Sequence, residues 1–379
     1  MGRELIYMNN AATTLKKPDC VYKAFIDAAK QYSNMGRGAS LLSIETSKAA
    51  FNARKSVAAL FGIKNPLRVG FMKNATEALN TGIYGLLNAG DHVISTVSDH
   101  NAVLRPLARV RDEKGVEVTL LPVDALGRIC PGDFTKALKK NTKMIVMSQA
   151  SNVTGNVFDI KAIGTIARDH GAWFFLDTAQ SAGILDIDVE RDNIDLMAFT
   201  AHKHLFAFQG LGGLYLREGI PMKPLIVGGG MGNAGDLSYM PEMPELVEAG
   251  TQNMPGIAAL DASVRFIMEN RDAIAGKEEE LTRYFLEKIG EKDGLRVLGE
   301  PAAQNRIAVF SLVSEKYSIL DLASYLDREK GIETRYGMHC APLIHRFLGS
   351  DDTGTLRISL CFFNQKEEID ALLDAVDSF

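Results

Sequence analysis

The sequence predicts an α/β protein: a mostly parallel sheet flanked by helices, followed by a smaller C-terminal α+β domain. Two observations carry this. From residue 48 onward, apolar runs of strand length alternate with stretches of helical period, the pattern of βαβ units. Beyond about residue 270 the texture changes to charged helices and short strands.

The elements follow in order. "SKAAFNARKSVAALFG" has a helical apolar period and stops at Gly62. "NATEALNTGIYGLLNAG" is a helix opened by Asn74 and closed by Gly90. "DHVISTV" and "VEVTLLPV" are short buried strands, and "KMIVMSQ" and "AWFFLDT" are two more. Between the last two, "IKAIGTIARDHG" is a helix ending on a Gly cap. "GTQNMPGIAALDASVRFIMEN" is a long helix leaving the first domain. "KEEELTRYFLEKIGEK" is helical, and "NRIAVFSLV" and "TLRISLCFF" are strands. Residues 1–255 thus form a large domain whose N-terminal segment is free to join the smaller one. Residues 256–379 supply the linking helix and the small domain.

A chain of 379 residues that is 46% hydrophobic can bury such a core. The net charge of −5 and the lack of a long basic run argue against a nucleic-acid partner. The start, "MGRELIYMNNAATT", has no apolar leader, and no stretch approaches the ~18 apolar residues of a membrane helix. The expectation is a soluble cytoplasmic protein with no membrane partner. Cys20, Cys130, Cys340 and Cys361 are scattered, with no CxxC pair and no zinc spacing, so neither a disulfide framework nor a metal site is expected.

In parallel sheets ligands sit at the carboxyl ends of strands. Several strands here end in polar residues: Ser148-Gln149, Asp177, and Thr200-Ala201-His202-Lys203. A lysine in such a cleft either pairs with a buried carboxylate or serves as an amine for a Schiff base. Pyridoxal phosphate, the usual aldehyde, also needs a carboxylate on its pyridine nitrogen, a phosphate site at a helix start, and a flat group on its ring. Each requirement has a candidate: Asp177 closing "AWFFLD", the helix start at Asn74, Ala75 and Thr76, and His100 after "DHVISTV". Asn152 and Gln180 follow strands and could reach the ring hydroxyl; His202 could donate to the phosphate.

In order along the chain, "NNAATT", "ATEALN", "SDHNAV", "SNVTGN", "LDTAQS", "AHK", "EAGTQN", "RYGMHCAPL" and "LRISLCFFN" resemble the pyridoxal phosphate enzymes of fold type I, aminotransferase class V. Within that class they resemble the cysteine desulfurase and selenocysteine lyase branch, over nearly the whole chain. The resemblance implies that Lys203 carries the cofactor and moves the proton, with Asp177 on the pyridinium nitrogen and His100 stacked on the ring. It implies Asn152 and Gln180 at the ring hydroxyl, and Thr76, His202 and the Ala75 amide at the phosphate. It also implies a homodimer with shared active sites, in which Thr251 reaches the partner's phosphate. Arg357 would anchor the substrate carboxylate, a task that suits a planar guanidinium. Arg335, Asn10 and Ala11 complete the expected substrate contacts. Cys340 corresponds to a nucleophilic cysteine, with Arg335 and His339 as neighbours that favour its thiolate. The other three cysteines are assigned to packing.

The implied reaction converts L-cysteine to L-alanine and leaves the sulfur on Cys340 as a persulfide for an acceptor protein. L-selenocysteine is the alternative substrate. A further alternative is another class V aminotransferase, epimerase or lyase in which Cys340 is incidental. Three departures bear on the choice. Met338 stands where the best-known relatives carry histidine, Gly36 and Ser40 replace both histidines around Arg37, and Ala207-Phe208 replaces Gly-Pro after the lysine.

Overall fold

The computed structural model describes residues 5–35, 40–230, 235–236 and 238–379. Its thirteen named strands among these residues are β1 (Ile6–Tyr7), β2 (Val69–Met72), β3 (His92–Thr96), β4 (Glu117–Leu121), β5 (Thr142–Ser148), β6 (Trp173–Asp177), β7 (Leu196–Thr200), β8 (Gly212–Leu216), β9 (Leu295–Val297), β10 (Val309–Ser314), β11 (Ile332–Glu333), β12 (Arg335–Gly337) and β13 (Thr355–Ser359). The α-helices are α1 (Asp19–Gln31), α2 (Leu41–Leu60), α3 (Ala75–Leu86), α4 (Asn101–Lys114), α5 (Pro131–Ala137), α6 (Ile160–His170), α7 (Met254–Glu269), α8 (Arg271–Ile289), α9 (Ile319–Tyr325), α10 (Pro342–Leu348) and α11 (Lys366–Asp377).

The large sheet has seven strands in the order β2-β8-β7-β6-β5-β3-β4. Strands β3 to β7 pair in parallel, and β8 runs antiparallel to both β7 and β2. The parallel strands are apolar throughout because helices cover both faces. One core cluster holds Phe174, Leu176, Met197 and Phe199 with α7's Ile257 and Leu260; the other holds Val146, Phe175 and Ala198 with α3's Leu79 and Ile83. The strands therefore stop together, and their polar ends share one edge.

A second, four-stranded antiparallel sheet runs β12-β13-β10-β9. The N-terminal β1 pairs in parallel with β11, bringing the start of the chain against residues 332–333. Asn9 bridges to Ser359 at the end of β13. Among the described residues no helix is long and apolar enough to cross a membrane.

Helix boundaries follow local chemistry. The Asn74 side chain accepts from the Glu77 amide and opens α3, which ends at Leu86, before the Gly90 stop read from the sequence. Gly171 closes α6 in the left-handed region at φ 82°. Ser40 is the N-cap of α2, its hydroxyl accepting from the Ser43 amide. One departure from the related sequences thus has a structural role, while Gly36 and Arg37 lie outside the described residues.

The core of the second sheet contains a buried carboxyl. One oxygen of Glu278 on α8 accepts from the Ala308 amide at 2.9 Å; the other has no partner. Burial pushes it from the ordinary 4.5 up to about 7. A group whose pKa rises on folding gives stability that is complete below its unfolded value and lost as pH climbs through the folded one. The Glu278 contribution to stability is therefore expected to fall between pH 4.5 and about 7. The melting temperature of wild type should accordingly lose ground to that of Glu278→Gln as pH rises through that window, as read by thermal melts; a constant difference between the two would show that Glu278 contributes nothing.

Candidate active site

The loop after β7 is a tight hairpin tied at several points. The Ala207 amide donates to the Ala201 carbonyl at 2.9 Å, and the Phe206 amide donates to the Lys203 carbonyl at 2.9 Å, with Phe206 at φ 49°. The "NNAATT" segment holds it from outside: the Thr14 amide and Thr13 hydroxyl both donate to the His202 carbonyl. Phe208 turns away and packs against Tyr22 and Phe25 of α1, with ring centroids at 5.6 and 4.7 Å. The Phe208 ring therefore fastens α1 to the loop.

This loop sets Lys203 in the wall of a cavity of about 250 Å³ at the common edge of the parallel strands. Asp177, at the end of β6, lines the same cavity. Its Oδ1 accepts from the Ala179 amide at 2.9 Å, and its Oδ2 accepts from the Ser148 hydroxyl at 3.4 Å. Burial pushes the Asp177 carboxyl up to about 6, against the pull of those hydrogen bonds and of Lys203. The same burial lowers the Lys203 ammonium to about 8; Asp177 opposes the fall, and Arg357 and Arg335 add to it. The pocket thus holds an amine that can lose its proton near neutrality, facing a carboxyl that a cationic ring nitrogen would ionise.

His100 is the N-cap of α4, its Nδ1 accepting from the Ala102 amide at 3.0 Å. Burial, then Lys203 and three arginines, lower it to about 3. It is a neutral ring with its proton on Nε2, lining the cavity and fixed by a helix start. At the far end, Ala75 and Thr76 begin α3. Beside them lie the Thr200 hydroxyl and His202 Nδ1, both buried without a hydrogen-bond partner. Free amides and unpartnered polar atoms at a helix start suit a phosphate. Gly212 permits the close approach of β8 behind this corner: a Cβ there would sit 2.8 Å from the Asn74 Cα and 2.5 Å from the Phe199 carbonyl oxygen.

The remaining wall comes from the second sheet. Arg357 on β13 is 1% exposed; its Nη1 donates to the Asn152 carbonyl at 3.1 Å and its Nη2 to Asn9 Oδ1 at 3.3 Å, while Nε has no partner. Arg335 is its direct cross-strand neighbour on β12. Two guanidiniums side by side in one cavity call for an anion between them.

The other expected residues divide. Ala11 lines the cavity, and its carbonyl accepts from Gln180 Nε2 at 3.1 Å, leaving Gln180 Oε1 buried and unpartnered. Asn152 also lines it, but its amide nitrogen is committed to the His339 carbonyl at 2.6 Å. Asn10 is a correction: its Nδ2 donates to Ser359 and Asn364 on the side away from the cavity, and Asn9 is the residue that meets Arg357. Thr251 is exposed in the loop before α7, outside the cavity. Cys340 is exposed in an adjoining groove that shares Thr76, His100 and Ala102 with the cavity, and Arg335 Nη2 lies 3.5 Å from its sulfur. Cys361 is buried just past the end of β13, whereas Cys20 and Cys130 are exposed residues. Cys20, in the first turn of α1, still points its thiol at the Ala262 carbonyl of α7 at 4.0 Å, and Cys130 stands at the N-cap position of α5 without a side-chain capping bond.

Sequence reading named Thr200 only as part of a polar strand end and His339 only as a neighbour of Cys340, and it missed Asp99. Asp99 accepts from Ser95, from the Thr96 amide and hydroxyl, and from the Ser148 amide, so it fastens the end of β3 to the end of β5 directly before His100. Asp177 is the last residue of β6, the signal that found it; Asp99 lies beyond the end of β3 at Thr96, where that signal is absent.

A doubly wound sheet with a desolvated lysine, a buried aspartate and a helix-start anion corner at one strand edge is the arrangement of an enzyme that holds a phosphorylated aldehyde cofactor. Residues 6–372 match the family aminotransferase class V, and the chain belongs to that family, whose members use pyridoxal phosphate. It is 32% identical to a probable cysteine desulfurase of Methanothermobacter thermautotrophicus, covering 99% of this chain and 94% of that one. Against a probable cysteine desulfurase of Halobacterium salinarum the identity is 34%, covering 99% and 92%. The apo structure of a cysteine desulfurase from Thermococcus onnurineus superposes with a TM-score of 0.93 at 30% identity, covering 99% and 94%. The S-sulfonic acid form of an Escherichia coli cysteine desulfurase gives 0.88 at 27%, with the same coverage.

Proposed function

We propose that this protein is a pyridoxal phosphate-dependent cysteine desulfurase that converts L-cysteine to L-alanine and retains the sulfur as a persulfide on Cys340. The observation that carries the reading is one cavity walled by Lys203, Asp177 and Arg357, with Cys340 at its mouth beside Arg335. Curated relatives and solved neighbours named cysteine desulfurase support it.

When bound, pyridoxal phosphate supplies an aldehyde for the substrate amine and an electron sink for the bond broken at its Cα. The Thr76 and Ala75 amides, the Thr200 hydroxyl and His202 would hold the phosphate, and His100 would cover the ring. Asp177 would keep a proton on the pyridine nitrogen, with Gln180 and Asn152 toward the ring hydroxyl. Arg357 grips the substrate carboxylate through its free Nε edge. Lys203, an amine near neutrality, takes the Cα proton. Arg335 favours the Cys340 thiolate, which attacks the substrate sulfur; the new S–S bond forms as the Cβ–S bond breaks, and its electron pair stays on the alanine skeleton.

Asp177→Asn should bind the cofactor and lose at least about 100-fold in kcat, because an amide cannot hold the ring proton. Unchanged turnover would remove Asp177 from this role.

The site is completed by a second copy of the chain, with Thr251 reaching the partner's phosphate. Support comes from large apolar side chains left exposed on the chain, among them Leu41 at 80% and Val227 at 69%. The persulfide then passes to an acceptor protein. The reading places the protein in the cytoplasm, where free cysteines stay reduced.

The deciding experiment assays alanine with sulfide or selenide, from L-cysteine and L-selenocysteine, on wild type and Cys340→Ala. Sulfide release from cysteine that depends on Cys340 supports the desulfurase. Turnover of selenocysteine alone, independent of Cys340, makes the protein a selenocysteine lyase, and no alanine from either substrate makes it another class V enzyme.

A further inference from the structure

The sulfur-bearing loop is strained and held at defined points. Gly337 sits at φ 113°, and His339 and Cys340 follow at 49° and 60°. Two successive side-chain-bearing residues in the left-handed region persist only where the surroundings over-determine them.

Three ties do so. Asn152 Nδ2 donates to the His339 carbonyl at 2.6 Å, across 187 residues of sequence. His339 Nε2 shares a hydrogen bond with the Thr355 hydroxyl on β13 at 2.7 Å. The Asn101 amide, at the start of α4, donates to the Cys340 carbonyl at 2.8 Å. His339 and Thr355 are 2% and 0% exposed, so water does not replace these bonds.

Asn152 has a second engagement: its own carbonyl accepts from Arg357 Nη1. Arg357 still has an unpartnered Nε edge in the cavity. One residue therefore joins the guanidinium that awaits an anion to the loop that carries the thiol.

We propose that Asn152 is a positioning residue that couples occupation of the Arg357 site by a substrate carboxylate to the placement of Cys340. The inference rests on the desulfurase reading for its purpose, though not for its measurement. A carboxylate on the Nε edge fixes the guanidinium. That fixes the Asn152 peptide, and with it the hold of its side chain on the His339 carbonyl. The strained turn is then kept closed over the cavity mouth, and the sulfur faces substrate only when substrate is present. Thr355 secures the other side of the same turn and is not itself part of the cavity wall.

The test follows alkylation of Cys340 by iodoacetamide in the cofactor-loaded protein, with and without L-alanine raised to saturation. L-alanine carries the carboxylate and no sulfur. Peptide mass analysis separates Cys340 from Cys20 and Cys130, which are exposed elsewhere and serve as internal references. L-alanine is expected to slow Cys340 alkylation about fivefold or more in wild type and less than about twofold in both Asn152→Ala and Thr355→Val. Because coupling runs both ways, Thr355→Val should also weaken L-alanine binding. No protection in wild type, or protection in Thr355→Val equal to wild type, would overturn the proposal; simple shielding by bound alanine gives the second result. Alkylation needs no turnover. A wild type that releases no sulfide therefore ends the desulfurase reading and leaves this measurement intact.

Discussion

Lys203→Ala is expected to purify without the visible absorbance of a lysine-bound cofactor and to lose more than about 10⁴-fold in turnover. Both losses have one origin, since the amine that tethers the cofactor is the base that moves the Cα proton. The fold should survive. Lys203 is a desolvated ammonium whose neutral form lies close at hand, with its pKa lowered to about 8 by burial, so removing it exposes no unsatisfied partner of comparable cost. A far-ultraviolet spectrum and melting temperature near wild type, together with the lost absorbance, would separate chemistry from misfolding. An intact visible band in this variant would contradict the assignment.

Cys340→Ala is expected to give the opposite division: absorbance unchanged, sulfide release from L-cysteine down by more than about 100-fold. The sulfur is exposed in the adjoining groove and makes no part of the cavity wall around Lys203 and Asp177. Cofactor binding has no reason to change. Full cysteine turnover without Cys340 would end the persulfide step.

The sheet and its strand-end residues were legible because parallel strands buried on both faces read as apolar runs, and a polar residue closing such a run is conspicuous. Lys203, Asp177 and His100 were found that way. What failed was register. Asn9 and Asn10 stand side by side in sequence; only the bridge from Asn9 to Ser359 decides which of them faces Arg357, and a shift of one residue reverses the answer. Thr200 was given no role of its own because a threonine ending a strand is ordinary until its hydroxyl is found buried and unpartnered. The exposure of Cys20 and Cys130 was equally hidden, since no local signal says which side of a helix start meets solvent.

The cavity is walled from two separate sheets: Lys203 and Asp177 stand on the seven-stranded one, Arg335 and Arg357 on the four-stranded one. Cofactor colour and recognition of an amino acid therefore draw on different cores. In mild urea the yellow of the bound vitamin should outlast the spectral response to added ligand whenever the four-stranded layer loosens first, so a tinted preparation is no guarantee of a competent one.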